Sequence, residues 1–170
     1  MQEKLKIHNR HSIRIKEYDY STEGMYFITI CTQNRKCILS KVITDIGSVK
    51  TDPYIKLSNI GKIVEKKLKE IEKHFTTIKI HDYIIMPNHL HFIIEKTQIP
   101  VGAGLDLPNK NIKITNVVGL FKSGISRKIG YSIWQRNYYE HIIRNEKELY
   151  EIKKYIQYNP LNWEKDKYNC

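Results

Sequence analysis

The sequence predicts an α+β fold: a ferredoxin-like βαββαβ antiparallel sheet with helices on one face, plus a C-terminal helix that bears Tyr155. Three observations lead there. Four stretches rich in β-branched and aromatic residues read as strands. Three others carry apolar residues at helical spacing. In chain order they run strand, helix, strand, strand, helix, strand, helix, and the first six are the split βαβ arrangement. A length of 170 residues suits one domain spanning 1–170, large enough to bury a core without staples.

Residues 1–24 are a polar, basic arm carrying Lys4, Lys6, Arg10, Arg14 and Lys16. It reads equally as a phosphate-tracking arm or a solvated tail. Met25 to Thr32 is the central strand, and Ile38 to Val42 reads as a short partner. Asp45 to Tyr54, with Gly47, Asp52 and Pro53, reads as a loop or irregular hairpin. Leu57 to His74 is the first helix. Ser58 can cap it, and Ile60, Ile63, Val64, Leu68 and Ile71 form its apolar stripe. Its lysines and glutamates read as a solvated face.

Ile78 to Met86 is the second strand and His89 to Glu95 the third, joined across Pro87-Asn88 as an antiparallel hairpin. Lys96 to Asn111, with Pro100, Gly102, Gly104 and Pro108, is a flexible loop rather than a domain boundary. Ile112 to Ile129 is the second helix, stopped by Gly130. Tyr138 to Arg144 is the fourth strand. Asn145 to Tyr158 is the third helix, opened by a capping box with Glu148 and ended at Asn159-Pro160. The tail 161–170 packs Trp163 back on the body.

Composition narrows the partner. The net charge is +11, with twelve tyrosines. Basic residues and aromatic rings together suit single-stranded nucleic acid, whose phosphates meet Lys and Arg while bases stack. A Lys- and Ile-rich background without a message is the bland alternative. Cys31, Cys37 and Cys170 lack CxxC spacing, which argues against a disulfide framework or zinc knuckle and fits a reducing cytoplasm. No apolar run approaches the roughly 18 residues of a membrane span, so no membrane is expected.

The chemistry centres on His89 and His91. On a strand, residues two apart share a face, so these imidazoles stand side by side on a sheet face left open to solvent, while Leu90 and Phe92 point into the core. Two neutral imidazoles make half of a metal site. A reacting group and a further ligand must come from elsewhere. Tyr155 and Asn159 lie one turn apart on the last helix. Tyr155 is a candidate nucleophile beside Tyr138, Tyr139, Tyr150 and Tyr158, or else an ordinary core-edge anchor. Asn159 offers the neutral oxygen that a hard cation accepts.

Three segments then carry a resemblance: Met86-Pro87-Asn88-His89-Leu90-His91, Trp134 to Arg144, and Tyr155-Ile156-Gln157-Tyr158-Asn159-Pro160. His89-Leu90-His91 is similar to the His-hydrophobic-His motif of HUH single-strand nucleases. In this order the segments resemble the REP-associated tyrosine transposases, over about Tyr26 to Asp166. The resemblance implies His89, His91 and Asn159 as ligands of a divalent cation, Mg2+ or Mn2+. It implies Tyr155 as the nucleophile on single-stranded or hairpin DNA, forming a 5′-phosphotyrosine link that another 3′-hydroxyl can resolve. Insertion-sequence relatives commonly carry Gln where this chain has Asn159. They work as dimers, so a monomer and a homodimer both remain open.

Lys122, Arg127 and Lys128 on the second helix are candidate DNA contacts, as are Arg136 and Arg144, which could instead pair with Glu140 or Glu146. His141 either faces the sheet surface near the histidine pair or is structural. The rival functions are a non-catalytic DNA-binding regulator of the same fold and an RNA-binding ferredoxin-like module. Neither needs His89, His91 and Tyr155 together.

Overall fold

The computed structural model describes residues 22–46, 49–98, 112–166 and 169. The basic arm, most of the 96–111 loop and the end of the tail lie outside them. In chain order the elements are β1 (Gly24–Cys31), β2 (Ser40–Ile46), β3 (Val49–Leu57), α1 (Asn59–Lys69), α2 (Ile71–His74), β4 (Ile78–Ile85), β5 (His89–Lys96), α3 (Ile114–Ile129), β6 (Tyr139–Ile143) and α4 (Glu146–Tyr158). A 3-10 turn, Pro160–Lys165, follows α4. The α+β class holds: an antiparallel sheet in the order β4-β5-β1-β6 is flanked by helices.

The inner strands β1 and β5 are covered on both faces. Tyr26, Ile28, Ile30, Leu90, Phe92 and Ile94 join Val64 and Leu68 of α1 and Val117, Phe121 and Ile125 of α3 in the main core. The intervening Phe27 and Ile93 meet Ile156 of α4, with Leu149 and Ile152 beside them. The period-two alternation of strand side chains thus divides one continuous apolar run between two layers.

Four expectations change. β2 is no partner of β1, which is already flanked by β5 and β6; it pairs with β3 in a separate two-stranded ribbon that covers the segment read as loop or irregular hairpin. The single helix expected over Leu57 to His74 breaks at Glu70, and Glu72 of α2 then accepts the Ile80 backbone N–H at 2.6 Å. The stripe of Leu68 and Ile71 runs through the break, so apolar spacing does not reveal it. The sheet face expected to be open carries α4, and His89 and His91 are 0% and 2% exposed. Finally, Cys37 is disulfide-bonded, where no disulfide was expected. Pairing depends on Cβ proximity in space, to which sequence spacing is blind.

Both predicted caps form. Ser58 Oγ accepts the Gly61 N–H at 3.0 Å and donates to the Ile38 carbonyl at 2.6 Å. Asn145 Oδ1 accepts the Glu148 N–H at 2.8 Å, whereas Glu148 reaches back to the N–H of Arg144, one residue before the box would have it. No helix among the described residues is long and apolar enough to cross a membrane.

α1 docks tightly at its first turn. A methyl group on Gly61 would overlap the Leu39 carbonyl oxygen, whereas one on Gly119 of α3 would meet nothing within 4 Å. Gly61→Ala is therefore expected to lower stability by about 1–3 kcal/mol or more. Gly119→Ala is expected to raise it by about 0.5–1 kcal/mol through reduced freedom of the unfolded chain. Urea denaturation of the two variants gives shifts of opposite sign if the packing is right.

Candidate functional site

The β1–β5 register sets Cys31 opposite His89 and Thr29 opposite His91. Both imidazoles project toward α4, their ring centroids 4.5 Å apart. Each Nδ1 has a fixed partner. Asn88 Nδ2 donates to the Arg35 carbonyl at 3.2 Å, which orients the amide so that Oδ1 meets His89 Nδ1 at 2.8 Å. An amide oxygen only accepts, so His89 carries its proton on Nδ1 and its lone pair on Nε2. His91 Nδ1 lies 2.7 Å from Thr29 Oγ1. The matching tautomer donates to that hydroxyl and leaves Nε2 to accept from Tyr155 Oη, 3.3 Å away.

Burial keeps both rings neutral. His89 is pushed down to about 4, chiefly by desolvation, with Asp166 opposing and Arg35 assisting. Desolvation, and then His89 itself, hold His91 well below 6.5. Neutral imidazoles with oriented Nδ1–H groups are the form in which histidine ligates a metal.

The last helix and its 3-10 extension run along the pair. Tyr155 packs edge-on against His91, with centroids 5.1 Å apart, and against Phe27 at 6.0 Å. Phe27 stacks on His91 at 5.2 Å. Two turns beyond Tyr155, Trp163 comes to 6.0 Å from His89. Asn159 lies between these two anchors along the chain. It is 3% exposed, and its buried Oδ1 receives no hydrogen bond. Two neutral imidazoles and an unsatisfied amide oxygen are a donor set that fits a divalent cation. No group of three or more His, Cys, Asp or Glu suited to a metal occurs among the described residues.

The structure brings His89, His91 and Tyr155 together on one side of the sheet, and buries Asn159 where α4 ends. His141 joins that side: it pairs with Phe27 across β1 and β6, and its Nε2 lies 3.5 Å from Glu148. Arg144 is exposed just past β6 and makes no ion pair among the described residues. Lys122, Arg127 and Lys128 are not brought there. They lie on α3, which packs on the opposite face, and Arg127 and Arg136 are exposed at a cleft beside it. The Lys122 ammonium is largely committed: it donates to the carbonyls of Gln135 and Arg136, both at 2.8 Å, and burial lowers its pKa. Sequence reasoning took Asn88 for a turn residue and Thr29 for an ordinary strand residue. Asn88 had a signal, its place before the first histidine; Thr29 had none, because the register between distant strands is not written locally.

The depressed histidines imply a pH dependence. The unfolded chain binds a proton near 6.5, and folded His89 only near 4. Its contribution to stability is complete above 6.5 and is lost as pH falls from there toward 4, by about 3 kcal/mol in all. His91 acts with the same sign. Urea unfolding in EDTA is expected to show stability falling from pH 7.5 to 5, with a shallower slope in His89→Gln.

No family model matches the chain. An uncharacterised Haemophilus influenzae protein is 40% identical over 175 residues, covering 94% of this chain and 93% of that one. A second Haemophilus influenzae protein, provisionally described as a REP-associated tyrosine transposase, is 25% identical over 150 residues, covering 84% of this chain and 73% of its own. The solved structure of a REP-associated tyrosine transposase bound to a REP hairpin shares the fold. Its TM-score is 0.59 at 18% identity, over 88% of this chain and 74% of that one. The chain belongs to one family with the first of these proteins, and it is related in fold, and weakly in sequence, to the REP-associated tyrosine transposases of the HUH type.

Proposed function

We propose that this chain is a metal-dependent single-strand DNA endonuclease and strand transferase that works through a 5′-phosphotyrosine intermediate on hairpin, REP-like DNA. The observation that carries the reading is Tyr155 Oη at 3.3 Å from Nε2 of His91, beside a second neutral histidine. Tyr155 is 47% exposed, so a strand of nucleic acid can reach its hydroxyl beside the two-histidine site. The hairpin seen with the solved relative suggests the substrate class. The sheet order β4-β5-β1-β6 supports reading the whole as the split βαβ fold expected from the sequence.

His89 and His91 through Nε2, with Asn159 through Oδ1, would hold Mg2+ or Mn2+, which would polarise the scissile phosphate and offset its charge. Tyr155 supplies the nucleophile. Its Oη–P bond forms as the P–O3′ bond breaks, the phenolic proton passes to solvent, and the departing 3′ oxygen is protonated. The link keeps the bond energy, so a 3′-hydroxyl can reverse the step without a nucleotide cofactor. Asn88 and Thr29 hold the imidazoles in the ligating tautomer. Tyr155 Oη lies 3.3 Å from His91 Nε2 of the same chain, which supports a site assembled in cis.

Incubation with a randomised library of single-stranded hairpin DNA and Mn2+, run on a denaturing gel, tests the proposal. The expected result is a slow covalent band, absent in Tyr155→Phe and lowered at least about a hundredfold in His89→Gln. DNA binding with no band in any divalent metal would instead make the chain a non-catalytic regulator. A band that persists in Tyr155→Phe would move the nucleophile to another residue.

Metal affinity separates ligands from nucleophile. Tyr155→Phe is expected to bind Mn2+ at least as tightly as the parent, because its hydroxyl no longer shares His91 Nε2. Asn88→Ala is expected to bind about 10–100-fold more weakly, through loss of the ring's orienting partner. Electron paramagnetic resonance titration of free Mn2+ reads both without DNA.

A further inference from the structure

Beside Tyr155 a cleft of about 610 Å³ opens between the sheet and α4. Phe27, Tyr139 and His141 line its sheet side, and Glu148, Glu151 and Tyr155 its helix side. We propose that this cleft seats one unpaired nucleobase of the strand that Tyr155 attacks, with Tyr139 as the stacking surface and Glu151 reading the base edge. The proposal rests on the strand-transfer reading for its substrate, but the cleft makes its own case.

Size and place come first. The volume lies within the roughly 300–1,000 Å³ typical of ligand pockets. Tyr155 stands in its wall, so a base seated there belongs to a nucleotide next to the attacked phosphate. Tyr139 is 58% exposed. A large ring left in water beside a reacting residue offers a stacking platform, and every base has a π-face to lay on it.

Charge then decides which part of the nucleotide enters. One lysine, Lys147, shares the cleft with the carboxylates of Glu148 and Glu151. Such a lining disfavours a phosphate and leaves the neutral base as the better guest. Glu148 is already engaged, accepting the Arg144 N–H at 2.9 Å and facing His141 Nε2 at 3.5 Å. Among the described residues Glu151 has no such commitment, and it is exposed. It sits one helical turn before Tyr155, on the same side of α4. Its position in the second turn, past the helix end, leaves it little to gain from the helix dipole.

A carboxylate accepts hydrogen bonds only, so it ranks the bases by their donors. Guanine presents two adjacent N–H donors, N1 and N2, to its two oxygens. Adenine and cytosine each present one amino group. Thymine presents one N–H between two carbonyls that repel the carboxylate. The expected order is guanine first and thymine last.

Nucleosides test this without phosphate, metal or cleavage. Backbone and side-chain chemical shifts of the full chain are followed while deoxyguanosine or thymidine is added up to its solubility limit. The expected result is a saturable shift confined to the residues lining the cleft on β1, β6 and α4, several-fold stronger for deoxyguanosine. Tyr139→Ala should abolish it, and Glu151→Gln should bring deoxyguanosine down to the level of thymidine. Both positions are exposed, so the folded spectrum should persist. Shifts that map elsewhere, or none for either nucleoside, would overturn the proposal, as would a guanine preference that survives Glu151→Gln. The covalent band reports separately on the strand-transfer reading. A nucleoside site without a band sinks that reading and supports the cleft, and a band without nucleoside shifts does the reverse.

Discussion

Two imidazoles are held side by side under a helix, and most of the structure follows from the cost of keeping them there. A buried polar group without a partner costs about 1–3 kcal/mol, and here two lie 0% and 2% exposed on adjacent positions of one face. The fold meets that cost one atom at a time. Asn88 satisfies one Nδ1 and Thr29 the other, and Tyr155 reaches Nε2 of His91. Each partner comes from a different element: the turn before β5, the neighbouring strand β1, and α4. The pair therefore couples three segments far apart in sequence, and their register cannot slip without stranding a ring nitrogen.

The same arrangement fixes the protonation state of the pair. Burial keeps the rings neutral, and the neutral imidazole is the form that can ligate a metal. A protein that needed His89 and His91 only as core filler would do better with aliphatic side chains there, which bury without hydrogen-bond obligations. The buried carbonyl oxygen of Asn159 is an unmet obligation where α4 ends. Buried polar groups near an exposed tyrosine are the pattern of a candidate site.

Much of this was legible in the sequence, and the illegible part has a physical character. The period of two along β5 placed both histidines on one face, and spacing along α4 placed Tyr155 and Asn159 a turn apart. Those are local patterns, and the local caps at Ser58 and Asn145 were readable for the same reason. What sequence could not give was which element covers which. The pair was expected on an open face because nothing local says that Leu149, Ile152 and Ile156 pack on Phe27 and Ile93 rather than with the other helices. Likewise Ile38 to Val42 reads as a partner of β1, but strand partners are chosen by available edges and β1 has none left, whereas the irregular hairpin read over Asp45 to Tyr54 does form, with a register shift between Ile43 and Asp45. The ammonium of Lys122 looked like a DNA contact because its carbonyl partners sit thirteen and fourteen residues away.

The charge distribution shows the same division between global and local. The chain as a whole carries +11, an excess that draws polyanions over a Debye length of about 8 Å in physiological salt. α4 does not share it: Glu146, Glu148 and Glu151 balance Lys147, Lys153 and Lys154 along the helix. A helix that only gathered DNA would be basic throughout. One that must set a single phosphodiester against a tyrosine gains from neutrality there, because competing phosphates are not drawn to the helix on which that tyrosine stands. In the proposed reaction, long-range attraction would come from the net charge of the chain, while selection among the groups of one nucleotide would fall to short-range hydrogen bonds and stacking around Tyr155. With that division, a strongly basic protein could keep carboxylates beside its candidate nucleophile and still attract the anionic partner proposed for it.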